Sequence, residues 1–228
     1  MGDRQPRSLI DHIMATKKKR LNPVIAEIKP ASPTAGKFRE AVDVAGTAAA
    51  FRDNGACGIS VLTEPRFFGG SLDNLLMADQ GLPILRKDFL FHPSQIKESY
   101  AFGADSVLLI SSFFDRTSLR EMLRESRDLG MEPLVEVHGK DDIERSRSAG
   151  ALLYAINNRD KDTLKVDRKR TEKLAPFIDG IKVSASGIET PDQLKEALEY
   201  CDAALIGSAL MKSADPGATL RSLVRGGV

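Results

Sequence analysis

Eight short runs rich in Val, Ile and Leu recur along the chain, and segments of helical periodicity separate them. The runs lie near 24–28, 58–62, 83–86, 106–110, 133–137, 152–156, 181–184 and 203–206. Between them, apolar residues return at helical spacing over 44–54, 72–80, 93–102, 116–129, 140–149, 170–175 and 191–200, and a last helix falls near 216–224. Strands this uniformly apolar are covered on both faces, which requires a parallel sheet wrapped by helices. Eight such units close naturally into a barrel. The expected fold is therefore α/β: a single (β/α)8 TIM barrel over 24–228, with a short N-terminal helical extension over 1–23. An open doubly wound sheet is the alternative, weakened because no Gly-x-Gly-x-x-Gly turn follows the first run. The pairs Asn54-Gly55, Phe102-Gly103, Leu129-Gly130 and Ala149-Gly150 predict left-handed turns from helix to strand.

A length of 228 residues suits one such barrel. The charge balance of 33 basic against 32 acidic residues supplies no field for nucleic acid, so none is expected as a partner. No apolar run approaches the roughly 20 residues that cross a bilayer, and the opening stretch reads as neither signal peptide nor anchor. The run Lys17-Lys18-Lys19-Arg20 reads as the solvated, dipole-complementing end of a helix. Cys57 and Cys201 lack any paired-thiol spacing, which predicts neither a disulfide framework nor a zinc site and suits a reducing cytoplasm. A cytoplasmic monomer is expected.

Ionisable residues interrupt the apolar pattern at the carboxyl ends of the runs, the end of a parallel barrel that builds active sites. Alternation in the first run puts Ile25, Glu27 and Lys29 on one face and Val24, Ala26 and Ile28 on the other. Lys87 follows the third run, and the fifth delivers Glu136 on the same face as Leu134 and His138. The sixth run ends in Asn157-Asn158-Arg159-Asp160 and the seventh in Ser184-Ala185-Ser186-Gly187-Ile188. These charges can be read as ion pairs that only fix packing. Buried charges are costly unless paired or used, and their coincidence at several strand ends favours chemistry. Ser186-Gly187 and Gly207-Ser208 set small residues and backbone amides where barrels bind phosphate, which implies a small substrate with one phosphomonoester. Phe67, Phe68 and Phe89, near the ends of the second and third runs, can be read either as lining an aromatic pocket or as ordinary core or loop packing. His12, His92 and His138 have no metal-ligand spacing, so no metal is assigned, and a lone His at a strand end reads as a filler or hydrogen-bond partner. No Gly-x-Ser-x-Gly elbow supports a serine nucleophile.

Taken together, the chain resembles the indole-3-glycerol phosphate synthase family over about 24–211. The residues that carry the likeness are Ala26-Glu27-Ile28-Lys29 with Ala31-Ser32-Pro33, Leu62-Thr63-Glu64 with Phe68 and Gly70-Ser71, and Pro83-Ile84-Leu85-Arg86-Lys87-Asp88-Phe89. Gly103-Ala104-Asp105 with Leu108-Leu109-Ile110, Gly130-Met131-Glu132-Pro133-Leu134-Val135-Glu136, Ile156-Asn157-Asn158-Arg159-Asp160, Ser186-Gly187-Ile188 and Leu205-Ile206-Gly207-Ser208-Ala209-Leu210-Met211 complete it. The resemblance implies closure of an indole ring from an anthranilate joined to a deoxyribulose phosphate, with loss of carbon dioxide and water and no cofactor. It implies Lys87 as the general acid, Lys29 as the partner of the substrate carboxylate, Glu27 and Glu136 as acid/base and charge-stabilising carboxylates, and Asn157 as an orienting amide. Ser32, Ser186, Gly187, Gly207 and Ser208 would hold the phosphate with Arg159 near the rim, while Phe68, Phe89, Leu108 and Ile110 would bracket the aromatic ring.

The chain departs from the family pattern in places. Ala185 stands where a Glu usually precedes Ser-Gly, Lys161 where Leu is usual, and Ala31 where a basic or polar residue is usual. The segment before the first strand is short, so the N-terminal helix that would help cover the substrate is expected to be curtailed. Two other readings stay open: a sugar-phosphate isomerase or aldolase with Lys87 as a Schiff-base lysine, and a phosphometabolite-binding barrel without catalysis.

Overall fold

The computed structural model describes residues 4–32, 36–37 and 42–226, with the side chains of Ser32 and Lys37 left aside. Eight parallel strands form a closed barrel: β1 (Val24–Ile28), β2 (Gly58–Leu62), β3 (Ile84–Lys87), β4 (Ser106–Ile110), β5 (Glu132–Val137), β6 (Leu153–Asn157), β7 (Ile181–Ala185) and β8 (Ala203–Ile206). Neighbours in sequence are neighbours in the sheet, and β1 closes the ring by pairing Ile25 with Leu205 of β8.

Period-two alternation sorts the strand residues between two cores. Ile25, Leu85, Leu108, Leu134 and Val183 fill the barrel interior, whereas Val24, Ala26, Val107, Val135 and Ile156 face the surrounding helices. Glu27, although buried, therefore belongs to the interior face with Ile25. Gly55, Gly103, Gly130 and Gly150 all take positive φ, as the helix-to-strand turns require.

Several expected boundaries are corrected. The third, sixth and seventh strands each run one residue further, so that Lys87, Asn157 and Ala185 sit within the ladder instead of in the loops after it. Their backbones are held by cross-strand pairing, Lys87 against Leu62 and Asn157 against Ala185. The helix expected over 72–80 is confined to Asp73–Met77, and that expected over 170–175 spans Lys169–Leu174 before a 3-10 turn at Ala175–Phe177. Short elements without a periodic signature also appear at the carboxyl end of the barrel: helices Pro65–Phe68 and Ser208–Lys212, the 3-10 turn Ser111–Phe113, and an antiparallel pair of Ala31–Ser32 with Gly36–Lys37.

The N-terminal extension closes the other end of the barrel. Its helix, Leu9–Lys18, is capped by Ser8 and drives Leu9 and Ile13 into the interior core at the amino end of the barrel, opposite the strand ends that carry Lys87 and Asn157. Acidic groups at the strand starts receive it. Asp105 accepts from Arg4 at 2.7 Å and from the Arg7 backbone at 2.9 Å, Glu132 accepts from Ser8 at 2.6 Å, and Asp202 pairs with Lys17 at 2.6 Å. The physical reason is an open barrel floor of apolar side chains, which burial under Leu9 and Ile13 removes from water. The segment is a floor plug and not a substrate cover.

Candidate active site

At the carboxyl end of the strands lies a pocket of about 840 Å³. Glu27, Lys29, Lys87, Glu136 and Asn157 all line it, brought there by β1, β3, β5 and β6. So do Phe68, Phe89, Leu108, Ile110, Arg159, Ser186, Gly187, Gly207 and Ser208. Of the residues expected at the site from the sequence, Ser32 has a side chain outside the described residues. Phe67 does not reach the pocket and is 62% exposed; the four-residue helix that carries it turns Phe68 inward instead.

A lysine–carboxylate pair and a histidine–carboxylate pair structure the polar half. Lys29 Nζ lies 3.0 Å from Glu27 Oε1 and donates to Ser208 Oγ at 3.2 Å, with both charged side chains largely withdrawn from water. Across the mouth, Glu136 Oε1 lies 3.0 Å from His138 Nε2. Burial alone pushes the Glu136 carboxyl up, but the His138 hydrogen bond, the charges of Lys87 and His138 and an Asn157 hydrogen bond outweigh it and hold the group below its ordinary value. Asn157 is itself oriented, since its Oδ1 accepts from the Arg159 backbone at 2.9 Å. An ionised Glu136 beside a cationic Lys87 can exchange protons with a bound molecule without either charge being stranded.

A buried network stands behind Lys87. Arg86 donates to Thr63 at 3.2 Å, Asp88 at 3.0 Å, Glu98 at 2.9 Å and Ser99 at 3.0 Å, which ties the end of β3 to β2 and to the following helix, Pro93–Ala101. Glu64, another pocket carboxylate, is committed to capping, for it accepts from the backbones of Arg66, Phe67 and Phe68.

The opposite half is apolar. Phe68, Phe89 and Phe113 form a chain of ring contacts, with centroids 6.4 and 6.1 Å apart, over Leu108 and Ile110 of β4. Phe113 has no periodic signal, because it sits in the 3-10 turn after β4.

At the ends of β7 and β8 the backbone is shaped for an anion. Ser186 and Gly187 both take positive φ, +70° and +81°, and the Ser186 carbonyl is held by the Asn158 amide at 3.1 Å. Asn158 is itself fixed by Ser184 at 3.1 Å and Thr171 at 2.8 Å, all three being buried. The helix Ser208–Lys212 opens directly after β8 and leaves its first amides turned to the pocket end of the barrel. Gly207 is required for another reason: a Cβ there would clash with Glu27 Oε1 and lie 2.9 Å from its Cδ.

Between β6 and the next helix, the loop folds back on itself through a bridge from Arg159 to Val166, and Val166 occupies the space that a side chain at Gly187 would need. Asp160 organises the loop, accepting from the Thr163 backbone and hydroxyl at 2.9 Å and from Arg170 at 3.2 Å, and these donors keep its carboxyl well below the ordinary range. Lys161 lines the mouth and pairs with Asp162 at 2.9 Å. Among the described residues, no cluster of three or more His, Cys, Asp or Glu is arranged to hold a metal ion.

Comparison with known proteins agrees with this geometry. The model of the indole-3-glycerol phosphate synthase family matches residues 2–223. The chain belongs to the indole-3-glycerol phosphate synthase family. The indole-3-glycerol phosphate synthase of Methanocaldococcus jannaschii is 44% identical over 208 residues, covering 89% of this chain and 78% of that protein. Its counterpart in Mycobacterium avium is 44% identical over 209 residues, covering 90% and 77%. Solved structures extend the likeness at the level of fold alone. The 3-hexulose-6-phosphate synthase of Salmonella typhimurium superposes with a TM-score of 0.69 at 16% identity over 88% of this chain and 96% of that one. Tryptophan synthase subunit alpha of Legionella pneumophila gives 0.67 at 14% identity, over 94% and 96%. Ala185 is buried in the interior core and lines the pocket without bringing a carboxylate to it.

Proposed function

We propose that this protein closes the indole ring of 1-(2-carboxyphenylamino)-1-deoxyribulose 5-phosphate, releasing carbon dioxide and water. The observation that carries the reading is one pocket with three matched parts: paired lysines and carboxylates, an aromatic and aliphatic wall, and two strand-end turns rich in backbone amides. Each part suits one part of the substrate, namely its carboxylate and carbonyl, its ring, and its phosphate.

Phosphate held by Ser32, Ser186, Gly187, Gly207 and Ser208, with Arg159 at the rim, anchors the end of the molecule that does not react. The ring lies against Phe68, Phe89, Leu108 and Ile110, which brings its carboxylated carbon to the sugar carbonyl. As that carbon attacks, Lys87 gives a proton to the carbonyl oxygen, which becomes a hydroxyl. Lys29 holds the carboxylate until the carbon–carbon bond breaks and carbon dioxide leaves, its electron pair returning to the ring system. The hydroxyl then departs as water after taking a second proton, and a carbon-bound proton is lost to a carboxylate to restore aromaticity. Glu27 and Glu136 serve as proton acceptor and charge partner, and Asn157 orients the sugar hydroxyls. Two protons are given and one is recovered, so one proton taken up from solvent, the one consumed when a carboxylate leaves as carbon dioxide, returns the residues to their starting protonation states.

One barrel domain with its N-terminal extension is enough for this chemistry, which calls for no cofactor. We place it as a monomer in a reducing cytoplasm, supported by two buried, unpaired cysteines, Cys57 and Cys201. Among the described residues, no helix is long and apolar enough to cross a membrane.

The test is to mix protein with the carboxyphenylamino-deoxyribulose phosphate and follow indole fluorescence, which a chain without Trp does not obscure. A rise proportional to protein concentration is expected, and Lys87→Ala abolishes it while substrate binding persists. No rise with demonstrable binding, or equal loss of binding and turnover in Lys87→Ala, overturns the assignment.

A further inference from the structure

His138 has no part in the chemistry proposed above, yet its ring is bonded directly to Glu136. The two residues lie two positions apart at the end of β5, so alternation sends both side chains into the barrel mouth. Nε2 of His138 is 3.0 Å from Glu136 Oε1, and both side chains are nearly withdrawn from water. The other ring nitrogen, Nδ1, is buried and has no hydrogen-bond partner among the described residues. The backbone beneath the ring is anchored as well: the His138 N–H donates to Asp142 Oδ2 at 2.9 Å, and Asp142 is held by Arg145 at 2.8 Å.

These contacts choose a tautomer. A neutral imidazole has one N–H, and a nitrogen facing an ionised carboxylate at hydrogen-bond distance must carry it. The Nδ1–H form would set a lone pair against Glu136 and bury an unpaired donor. Nε2 is therefore the donor to the carboxylate.

We infer that His138 is a positioning residue for ring closure: its Nε2–H holds Glu136 by Oε1 at the mouth that Lys87 and Asn157 also line. The inference rests on the reading that Glu136 acts in that reaction. Charged groups surround the ring on each side. Lys87 and Glu136 face it from the mouth and Asp142 from below, while Lys140, Asp141, Asp160, Lys161 and Arg170 share with it a second cavity of about 360 Å³.

Two variants test the assignment, each checked for folding by circular dichroism and urea denaturation. His138→Leu keeps bulk but removes the donor, and His138→Gln restores an amide donor at a reach close to that of Nε2. For His138→Leu, kcat is expected to fall roughly 10- to 100-fold, the scale of one hydrogen bond to a charged group, with KM changed less than about threefold. The acid limb of its kcat–pH profile moves to higher pH, because Glu136 loses a donor that favours its charged form. His138→Gln recovers most of the rate. Wild-type kcat and profile in His138→Leu, or equal damage in both variants, overturns the inference. A second readout does not depend on turnover: ¹⁵N NMR of the wild-type imidazoles is expected to show a proton on Nε2 of His138, and a ring protonated at Nδ1 alone refutes that donor. A wild-type protein that forms no indole product defeats the proposed reaction, and the NMR result still decides the Glu136–His138 pair.

Discussion

Gly207→Ala adds one methyl group at the most crowded point of the proposed site. The backbone there has φ −127°, open to any residue, so conformational freedom is not what selects glycine. Space is. The new Cβ would clash with Glu27 Oε1 and lie 2.9 Å from Glu27 Cδ and 3.0 Å from its Cβ. Glu27 is only 4% exposed and is bonded to Lys29 at 3.0 Å, so the strain must either stay in a tight core or push the carboxylate off its lysine. Overpacking of this kind costs about 1–3 kcal/mol in stability. Losing the hold on Lys29 costs about as much as one hydrogen bond to a charged group, about 1.5–3 kcal/mol, or roughly 10- to 150-fold if it falls on kcat. Urea denaturation and the indole fluorescence assay, run on the same preparation, separate the two. Truncation of the partner supplies the internal control: a Glu27→Ala background removes the Oε1 and Cδ contacts and leaves only the 3.0 Å approach of the two Cβ atoms, so adding Gly207→Ala is expected to cost less there than it does alone. A single Gly207→Ala variant with wild-type stability and wild-type kcat, or a cost undiminished in the Glu27→Ala background, would show that contact with Glu27 is not why glycine stands there.

Leu9→Ala, which hollows the barrel floor, is expected to lower unfolding free energy by about 2–5 kcal/mol in urea while kcat per folded molecule is kept, since Leu9 lies at the end remote from Lys87. Cys57 and Cys201, both pushed up to about 12 by burial, are expected to resist an aromatic disulfide reagent in the native protein and to react once urea unfolds it; fast native labelling of either contradicts their placement. Glu136 is held below its ordinary value, so it contributes stability that is complete above about pH 4.3 and is lost as pH falls through the lower folded value. Thermal midpoints of Glu136→Gln should therefore fall less steeply on acidification than those of the wild type, and parallel curves would count against the shift. Asn158→Ala leaves Ser184, Thr171 and the Ser186 carbonyl short of partners, which predicts about 1–3 kcal/mol of lost stability and a raised KM for the phosphorylated substrate.

The barrel was legible because its strands are buried on both faces and its helices on one, two periods that alternate eight times. Glu27, Lys29, Lys87, Glu136 and Asn157 could be found in the sequence for a related reason: a charged or amide residue ending an apolar run has few places to go except the barrel mouth. Other features left weaker traces. Phe113 enters the pocket from a 3-10 turn with no repeat to announce it, and Phe67 and Phe68 are adjacent residues whose opposite fates depend on a four-residue helix capped by Glu64. The bond between Glu136 and His138 is local, but a histidine at a strand end is more often a filler, and only the geometry separates the cases. The N-terminal helix was readable as a helix, but the end of the barrel that it closes was not. Its amphipathic face with Leu9 and Ile13 says that something must be covered and not which mouth; Asp105, Glu132 and Asp202, far away in sequence, decide that.

That distance also sets a timetable. Lys17 meets Asp202 across 185 positions, and β1 finds its second neighbour only when β8 has been made. On a ribosome adding about 5–20 residues per second, the helix that carries Leu9 and Ile13 emerges first and waits about 10–40 s for its last partners. During that interval two core side chains have no complete barrel to enter, so the nascent chain must keep its earliest hydrophobic surface shielded longest. Long-range closure of this kind slows folding, because the entropy of a nearly full-length loop is lost before the contacts that reward it exist.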